Sequence, residues 1–119
     1  NLTYGWPHGL DCEAFTADTL HRATAEATAL SDREHVTPWM RRHPTLRRAN
    51  LPGPGGNVAR MRWTLDYPED LHFLREIFSR VQSSDGYSWR RIAAMIEAEP
   101  SLAELNRNRV DPQRLLAAI

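Results

Sequence analysis

The stretch of sequence that decides the fold is Arg62-Trp63-Thr64-Leu65-Asp66-Tyr67-Pro68-Glu69-Asp70. Apolar and polar side chains alternate over residues 58–65, which predicts a strand. Pro68 suits the first position of a helix, and apolar residues recur at helical spacing over residues 68–82, which predicts a buried stripe of Leu71, Leu74, Ile77, Phe78 and Val81. Asp66 is therefore expected at the carboxyl end of a strand, where ligands collect in open α/β sheets. Its carboxylate would either hold a metal ion or cap the helix that follows.

Composition limits the classes of protein to which the chain can belong. Its 119 residues suit a single domain or fragment with one modest core. The 15 basic residues, all arginine, balance 15 acidic ones, which argues against a general nucleic-acid binder. Cys12 is the only cysteine, so an internal disulfide is excluded. No apolar run approaches the roughly 20 residues of a membrane span. We expect a cytoplasmic protein that binds neither nucleic acid nor membrane.

Two further segments have strand character. Residues 9–15 alternate, with Asp11 and Glu13 on one face, and predict either a ligand-facing strand or a half-exposed strand with its acids in water. Residues 46–51 predict a short strand that would form a hairpin with residues 58–65. Helical segments are predicted over residues 17–30, 32–36, 38–43, 68–82, 89–98, 100–105 and 112–118. Thr16 is expected to cap the first of them, with Leu20, Ala23, Ala27 and Leu30 on one face. The expected fold class is α/β, with a small sheet, a hairpin and about five helices besides shorter turns.

Three pieces of the chain together resemble one family of enzymes. They are Gly9-Leu10-Asp11-Cys12-Glu13, Arg33-Glu34-His35-Val36-Thr37-Pro38 and Trp63-Thr64-Leu65-Asp66-Tyr67-Pro68-Glu69-Asp70. In order and spacing they resemble the carboxy-terminal half of cytidylyltransferases of the spore-coat polysaccharide biosynthesis type. These are relatives of the acylneuraminate and Kdo cytidylyltransferases. The resemblance covers about residues 1–106 and leaves residues 107–119 as a helical tail, and Cys12 stands where such proteins usually have valine.

The resemblance implies a fold and an activity. The fold would be the carboxy-terminal part of a GT-A-like nucleotide-diphospho-sugar transferase. The activity would be transfer of CMP from CTP to a sugar or sugar acid for surface polysaccharide biosynthesis, assisted by Mg²⁺, in a homodimer. The family's nucleotide loop and second acidic motif belong to an amino-terminal half that this sequence does not contain. We therefore expect a sugar-side and dimerisation lobe that is inactive alone and leaves its magnesium site incomplete.

The resemblance also assigns roles to individual residues. Asp66 matches the family's strand-end aspartate and would be a metal ligand. Asp11 and Glu13 would accept hydrogen bonds from sugar hydroxyls or amines. Arg33 and His35 would bind a sugar carboxylate or phosphate.

Less specific interpretations remain open for the same residues. Arg33, Glu34 and His35 could form an ion-pair network that fixes a helical turn, and His35 could simply be a helix-end histidine. Glu69 and Asp70 are interpreted as helix-start residues because acids favour the first turn. In a different class of function, the chain would be a non-catalytic dimerisation or interaction module.

Overall fold

The structure is a computed structural model that describes residues 2–35, 37–81 and 86–117. Within these ranges the chain forms eight α-helices and a 3₁₀ turn at Arg107–Arg109. The helices are α1 (Ala17–Glu26), α2 (Leu30–His35), α3 (Pro38–Arg42), α4 (Gly56–Ala59), α5 (Pro68–Arg80), α6 (Trp89–Ala98), α7 (Ser101–Glu104) and α8 (Pro112–Ala117). In the part of the chain that the structure describes, no helix combines the length and the apolar character needed to cross a bilayer.

The predicted α/β fold, as part of a GT-A-like sheet with a hairpin, is wrong for these ranges. They contain no strand, and the only pairing of strand type is a single parallel bridge between His8 and Arg62. In that bridge the His8 N–H donates to the Met61 carbonyl at 2.9 Å, and the Trp63 N–H donates to the His8 carbonyl at 2.7 Å. Val58 and Ala59 of the predicted strand belong to α4, Leu65 of its apolar face is exposed, and Arg62 of its polar face is buried. A strand also needs a neighbour along its whole length, and here there is only the single bridge.

The chain divides into two compact units. The smaller unit consists of Asn1–Thr3 and Cys12–Leu51, and the larger unit consists of Tyr4–Asp11 and Pro52–Ile119. Each unit has its own cluster of buried apolar side chains.

The core of the smaller unit forms where α1 meets α3. Thr16 begins α1 as predicted, because its side-chain oxygen accepts the Thr19 N–H at 3.2 Å. Four buried side chains form this core. Ala23 of α1 and Ala27, which directly follows α1, pack with Trp39 and Met40 of α3. Leu30, expected on the same face as the buried alanines, is 82% exposed.

The core of the larger unit is built on α5. Pro68 opens this helix as predicted, and Phe73 and Ile77 of α5, with Val81 directly after it, form a cluster completed by one residue each of α6 and α7. Leu71 and Phe78, expected inside, are exposed instead. The buried face is thus rotated toward Phe73, and this rotation carries Asp70 into the interior.

The glycine-rich loop before α4 packs against the beginning of the larger unit. The Gly55 N–H donates to the Gly5 carbonyl at 3.0 Å. A side chain at Gly53 would collide with that same carbonyl, so only glycine allows this close approach. This contact and the His8–Arg62 bridge place residues 4–11 alongside the stretch that leads into α5.

Candidate functional site

A buried ion pair joins Arg62 to Asp70 at the start of α5. The Arg62 Nε–H donates to Asp70 Oδ1 and an Nη2–H donates to Asp70 Oδ2, both at 2.8 Å. The Asp70 side chain is completely buried, and that of Arg62 is 4% exposed. Two parallel N–H···O bonds in this geometry are the strongest pairing available to these side chains.

Asp70 is held by more than the arginine. Its carboxylate also accepts the backbone N–H of Asp66 at 3.1 Å and of Tyr67 at 3.2 Å, so that the third residue of α5 reaches back to the N-cap residue. The Asn106 side-chain amide donates to it at 2.9 Å and to the Arg62 carbonyl at 3.0 Å. The Arg62 guanidinium and these other donors hold the pKa of the Asp70 carboxyl well below its usual range, against the effect of burial. With its oxygens engaged, Asp70 supports the site and has no free position for a ligand.

Asp66 lies at the outer edge of the same arginine. Its Oδ2 accepts an Arg62 Nη2–H at 2.8 Å, while its side chain is 62% exposed. Asp66 does not cap α5: Tyr67 holds the N-cap position, and the Asp66 carboxylate accepts its hydrogen bond from Arg62. Its carboxylate is therefore anchored on one side and open to solvent on the other.

A magnesium ion would need more than this carboxylate. Among the described residues, no group of three or more His, Cys, Asp or Glu side chains could hold a metal ion. The neighbouring Asp70 is engaged by donors, which leaves Asp66 as the available carboxylate beside Arg62. Mg²⁺ prefers near-octahedral oxygen ligands, so these residues do not make a magnesium site by themselves.

His8 borders the ion pair on the side of the parallel bridge. Its Nδ1 lies 3.2 Å from Arg62 Nη1. Because arginine can only donate, Nδ1 is assigned as the acceptor, and the neutral ring then carries its hydrogen on Nε2. Burial, together with the Arg114 and Arg62 charges, lowers the pKa of His8, and the nearby Asp11 and Asp66 oppose this effect. His8 is thus a neutral hydrogen-bond donor beside an anchored carboxylate.

A second arginine completes this polar cluster. Arg114 of α8 donates to the Trp6 carbonyl at 3.0 Å and forms an ion pair with Asp11. Asp11, expected to face a sugar, is therefore held by a side chain of its own chain. We use the name His8 cluster for the set His8, Asp11, Arg62, Asp66, Asp70 and Arg114.

The other predicted sugar-binding residues belong to the smaller unit. Glu13 lies 3.5 Å from Arg41 through its Oε1. The exposed Arg33 directs an Nη1–H toward the Thr24 carbonyl at 3.5 Å, and His35 is exposed at the end of α2. In the described ranges, no ion pair links Arg33, Glu34 and His35 to one another.

Four members of the site were not singled out from the sequence: His8, Arg62, Asn106 and Arg114. Arg62 could have been suspected from Asp66, because the two are four residues apart. Asn106 and Arg114 reach the site from 44 and 103 residues away, measured to Arg62 and Asp11. No local pattern identifies contacts at such separations.

Comparison with known proteins gives no independent assignment. No family model, no curated protein and no solved structure matches the chain.

Proposed function

We propose that this chain is part of a cytidylyltransferase that activates a sugar or sugar acid with CTP. The products would be a CMP-sugar for surface polysaccharide biosynthesis and pyrophosphate, made in the cytoplasm. The proposal rests on the resemblance of three segments, and chiefly on the stretch Trp63–Asp70. A chain with the sugar-side residues alone would not perform the reaction.

The observation that supports this proposal best is the different environment of the two aspartates in that stretch. Asp70 is fully buried and hydrogen-bonded to Arg62, whereas Asp66 is anchored by the same arginine and remains 62% exposed. A carboxylate that is already fixed at a surface can accept a hydrogen bond from a hydroxyl group or contact a cation without a further loss of side-chain entropy. In the proposed enzyme Asp66 would hold one side of a Mg²⁺ ion, and the ion would need further oxygen ligands beyond those of the described residues.

Other side chains would then have supporting or binding roles. Asp70 and Asn106 orient Arg62, and Arg62 orients Asp66. The neutral His8 ring offers Nε2–H as a donor to a substrate oxygen. Glu13, Arg33 and His35 remain proposed contacts to the sugar.

The test is the reaction itself. The full-length gene product that carries this sequence is incubated with CTP, Mg²⁺ and a panel of sugars and sugar acids, and pyrophosphate release is measured. Release that depends on both CTP and one sugar supports the proposal. The absence of release with every sugar, from a folded protein, contradicts it.

A second proposed function is self-association, since α5 carries an apolar face that the larger unit leaves uncovered. Tyr67, Leu71 and Phe78 follow one side of this helix and are all exposed, and the Phe78 ring contacts the Tyr87 ring at a tilt, with centroids 5.6 Å apart. Contiguous exposed apolar side chains mark interaction surfaces. We propose that this face, defined as Tyr67, Leu71 and Phe78, forms a two-fold homodimer. The dimer would serve the enzyme, or would be the function itself in a non-catalytic module.

A further inference from the structure

Two segments of the smaller unit run without helix, turn or bend and leave their backbone groups open. They are residues 13–15 and residues 47–50. Within the described part of the chain, neither segment takes part in a backbone–backbone hydrogen bond. Strands are predicted from the sequence at both places, and at the first of them apolar and polar side chains alternate as a pleated segment requires. Open N–H and C=O groups along a straight segment are the template on which another strand can pair.

The same two segments form the walls of a groove. The groove has a volume of about 650 Å³ and is lined by residues of both segments together with parts of α1 and α3. Apolar side chains at the groove include Phe15, Met40 and Leu46. The groove therefore combines open backbone groups at its walls with apolar contact area for alternate side chains.

The charged side chains at the groove favour a negatively charged partner. Its charged side chains are Arg41, Arg47, Arg48 and Glu13. Glu13 pairs with Arg41 at 3.5 Å, and Arg48 donates to the Arg41 carbonyl. Two positive charges thus remain without a balancing acid among the lining residues.

We infer that this groove binds an extended, acidic polypeptide segment of another protein, which adds as a strand along residues 47–50. In strand addition, backbone hydrogen bonds supply affinity and pockets for alternate side chains supply specificity. In a segment that alternates acidic and apolar residues, the acids can pair with the arginines of the groove, and the apolar side chains can contact its apolar lining residues. Four residues of strand span roughly 13 Å, so a partner strand of about five residues would be enough.

The probe is a fluorescent, end-blocked peptide of alternating glutamate and valine, and its binding to the full chain is measured by anisotropy. Comparison peptides replace every glutamate with lysine or N-methylate alternate amides in either register. We expect the lysine peptide to bind at least tenfold more weakly, and at least one methylated peptide to lose binding by a similar factor. The methylated peptides test backbone pairing without altering the protein.

Two pairs of variants test the protein side. Ala49→Pro removes one N–H from the wall and should weaken binding at least tenfold, whereas Ala49→Ser keeps the N–H and should not. Arg47→Ala should weaken binding about threefold or more, whereas Arg75→Ala on α5 should leave it unchanged. Circular dichroism establishes that each variant keeps its helices.

Three results would overturn the inference. They are no binding of the glutamate peptide at millimolar concentration, equal binding of the lysine peptide, and full binding of both methylated peptides. A fourth result would also overturn it. If Ala49→Pro converts an oligomer of this chain into a monomer, the groove binds a second copy of the chain and not a segment of another protein.

Discussion

Arg62 and Asp70 meet inside the larger unit through two hydrogen bonds of 2.8 Å, while Asp66 holds the outer edge of the same guanidinium. One arginine thus links a carboxylate with no exposure to one that is 62% exposed. The inner pair stabilises the fold, and the outer carboxylate remains available to a ligand. The two aspartates are therefore expected to respond very differently to mutation.

Replacing Asp70 should be strongly destabilising. Asp70→Ala leaves the Arg62 charge buried without its main partner, which typically costs about 3–5 kcal/mol. Asp66→Ala, the matched control, removes an exposed contact to the same arginine and should cost about 1 kcal/mol or less. Urea unfolding followed by circular dichroism gives both free energies. Equal losses of unfolding free energy in the two variants would contradict a stabilising role for the buried Asp70 that the exposed Asp66 lacks.

The same ion pair predicts a loss of stability in acid. The pKa of Asp70 lies below its ordinary value of 3.8 in the folded state, so the unfolded chain binds its proton first as the pH falls. The stabilisation is complete above the ordinary pKa and is lost progressively as the pH falls through the folded-state pKa. In Asp70→Asn this part of the pH dependence should vanish. Urea midpoints measured between pH 6 and pH 2 test this, and an unchanged acid slope in the variant would exclude Asp70 as its source.

Helix α5 illustrates what the sequence could predict about the fold. Pro68 and the apolar period located the start of the helix, and α6 (Trp89–Ala98) agrees with its predicted bounds. The sheet could not be predicted correctly, because alternation at Met61 and Trp63 records burial against the core of the larger unit. A strand requires pairing with a distant segment, and the described residues supply only the bridge at His8.

The candidate site shows the same limit. Asp66 could be selected because a carboxylate after a predicted strand and before a helix is chemically suggestive. Asp70 matters because a small rotation of α5 buries it. The apolar stripe in the sequence includes Leu71 and Phe78, so it predicts the wrong buried side of the helix. His8 and Arg114 depend on contacts between the two ends of the larger unit. Such contacts are set by tertiary packing, which local patterns do not encode.

His8 predicts a second pH effect, nearer neutrality. Its pKa lies below the ordinary 6.5 because of burial and the Arg114 and Arg62 charges. The unfolded chain therefore takes up this proton first, and stability should fall as the pH is lowered through and below 6.5. His8→Gln keeps a hydrogen-bond acceptor for Arg62 and should abolish that slope. His21→Gln, on the exposed face of α1, is the control. A variant that retains the wild-type slope from pH 7.5 to pH 5 would contradict the assignment.

Asp66→Asn tests the proposed catalytic role. In the full-length gene product, this change should lower kcat at least tenfold and weaken the dependence on Mg²⁺, because a charge that acts in the transition state is lost. The fold should survive, since Asp66 is exposed and Asp70 still binds Arg62. Asp18→Asn, on the exposed first turn of α1, should keep normal turnover. Normal kcat and normal Mg²⁺ dependence in Asp66→Asn would reduce this residue to a surface partner of Arg62.

The apolar face of α5 predicts a dimer that single charges can disrupt. Phe78 is 53% exposed and lies on the same side of the helix as Tyr67 and Leu71. In a two-fold contact each of these side chains is used twice, so one substitution places two charges in the interface. Phe78→Asp and Leu71→Asp should therefore shift the molar mass from dimer to monomer in light scattering at micromolar concentration. Leu30→Asp is the matched control, because Leu30 is 82% exposed and lies outside this face. A stable dimer should bury more than about 1,000 Å². A monomeric mass for the unmodified chain up to millimolar concentration would show that this face does not pair with a second copy.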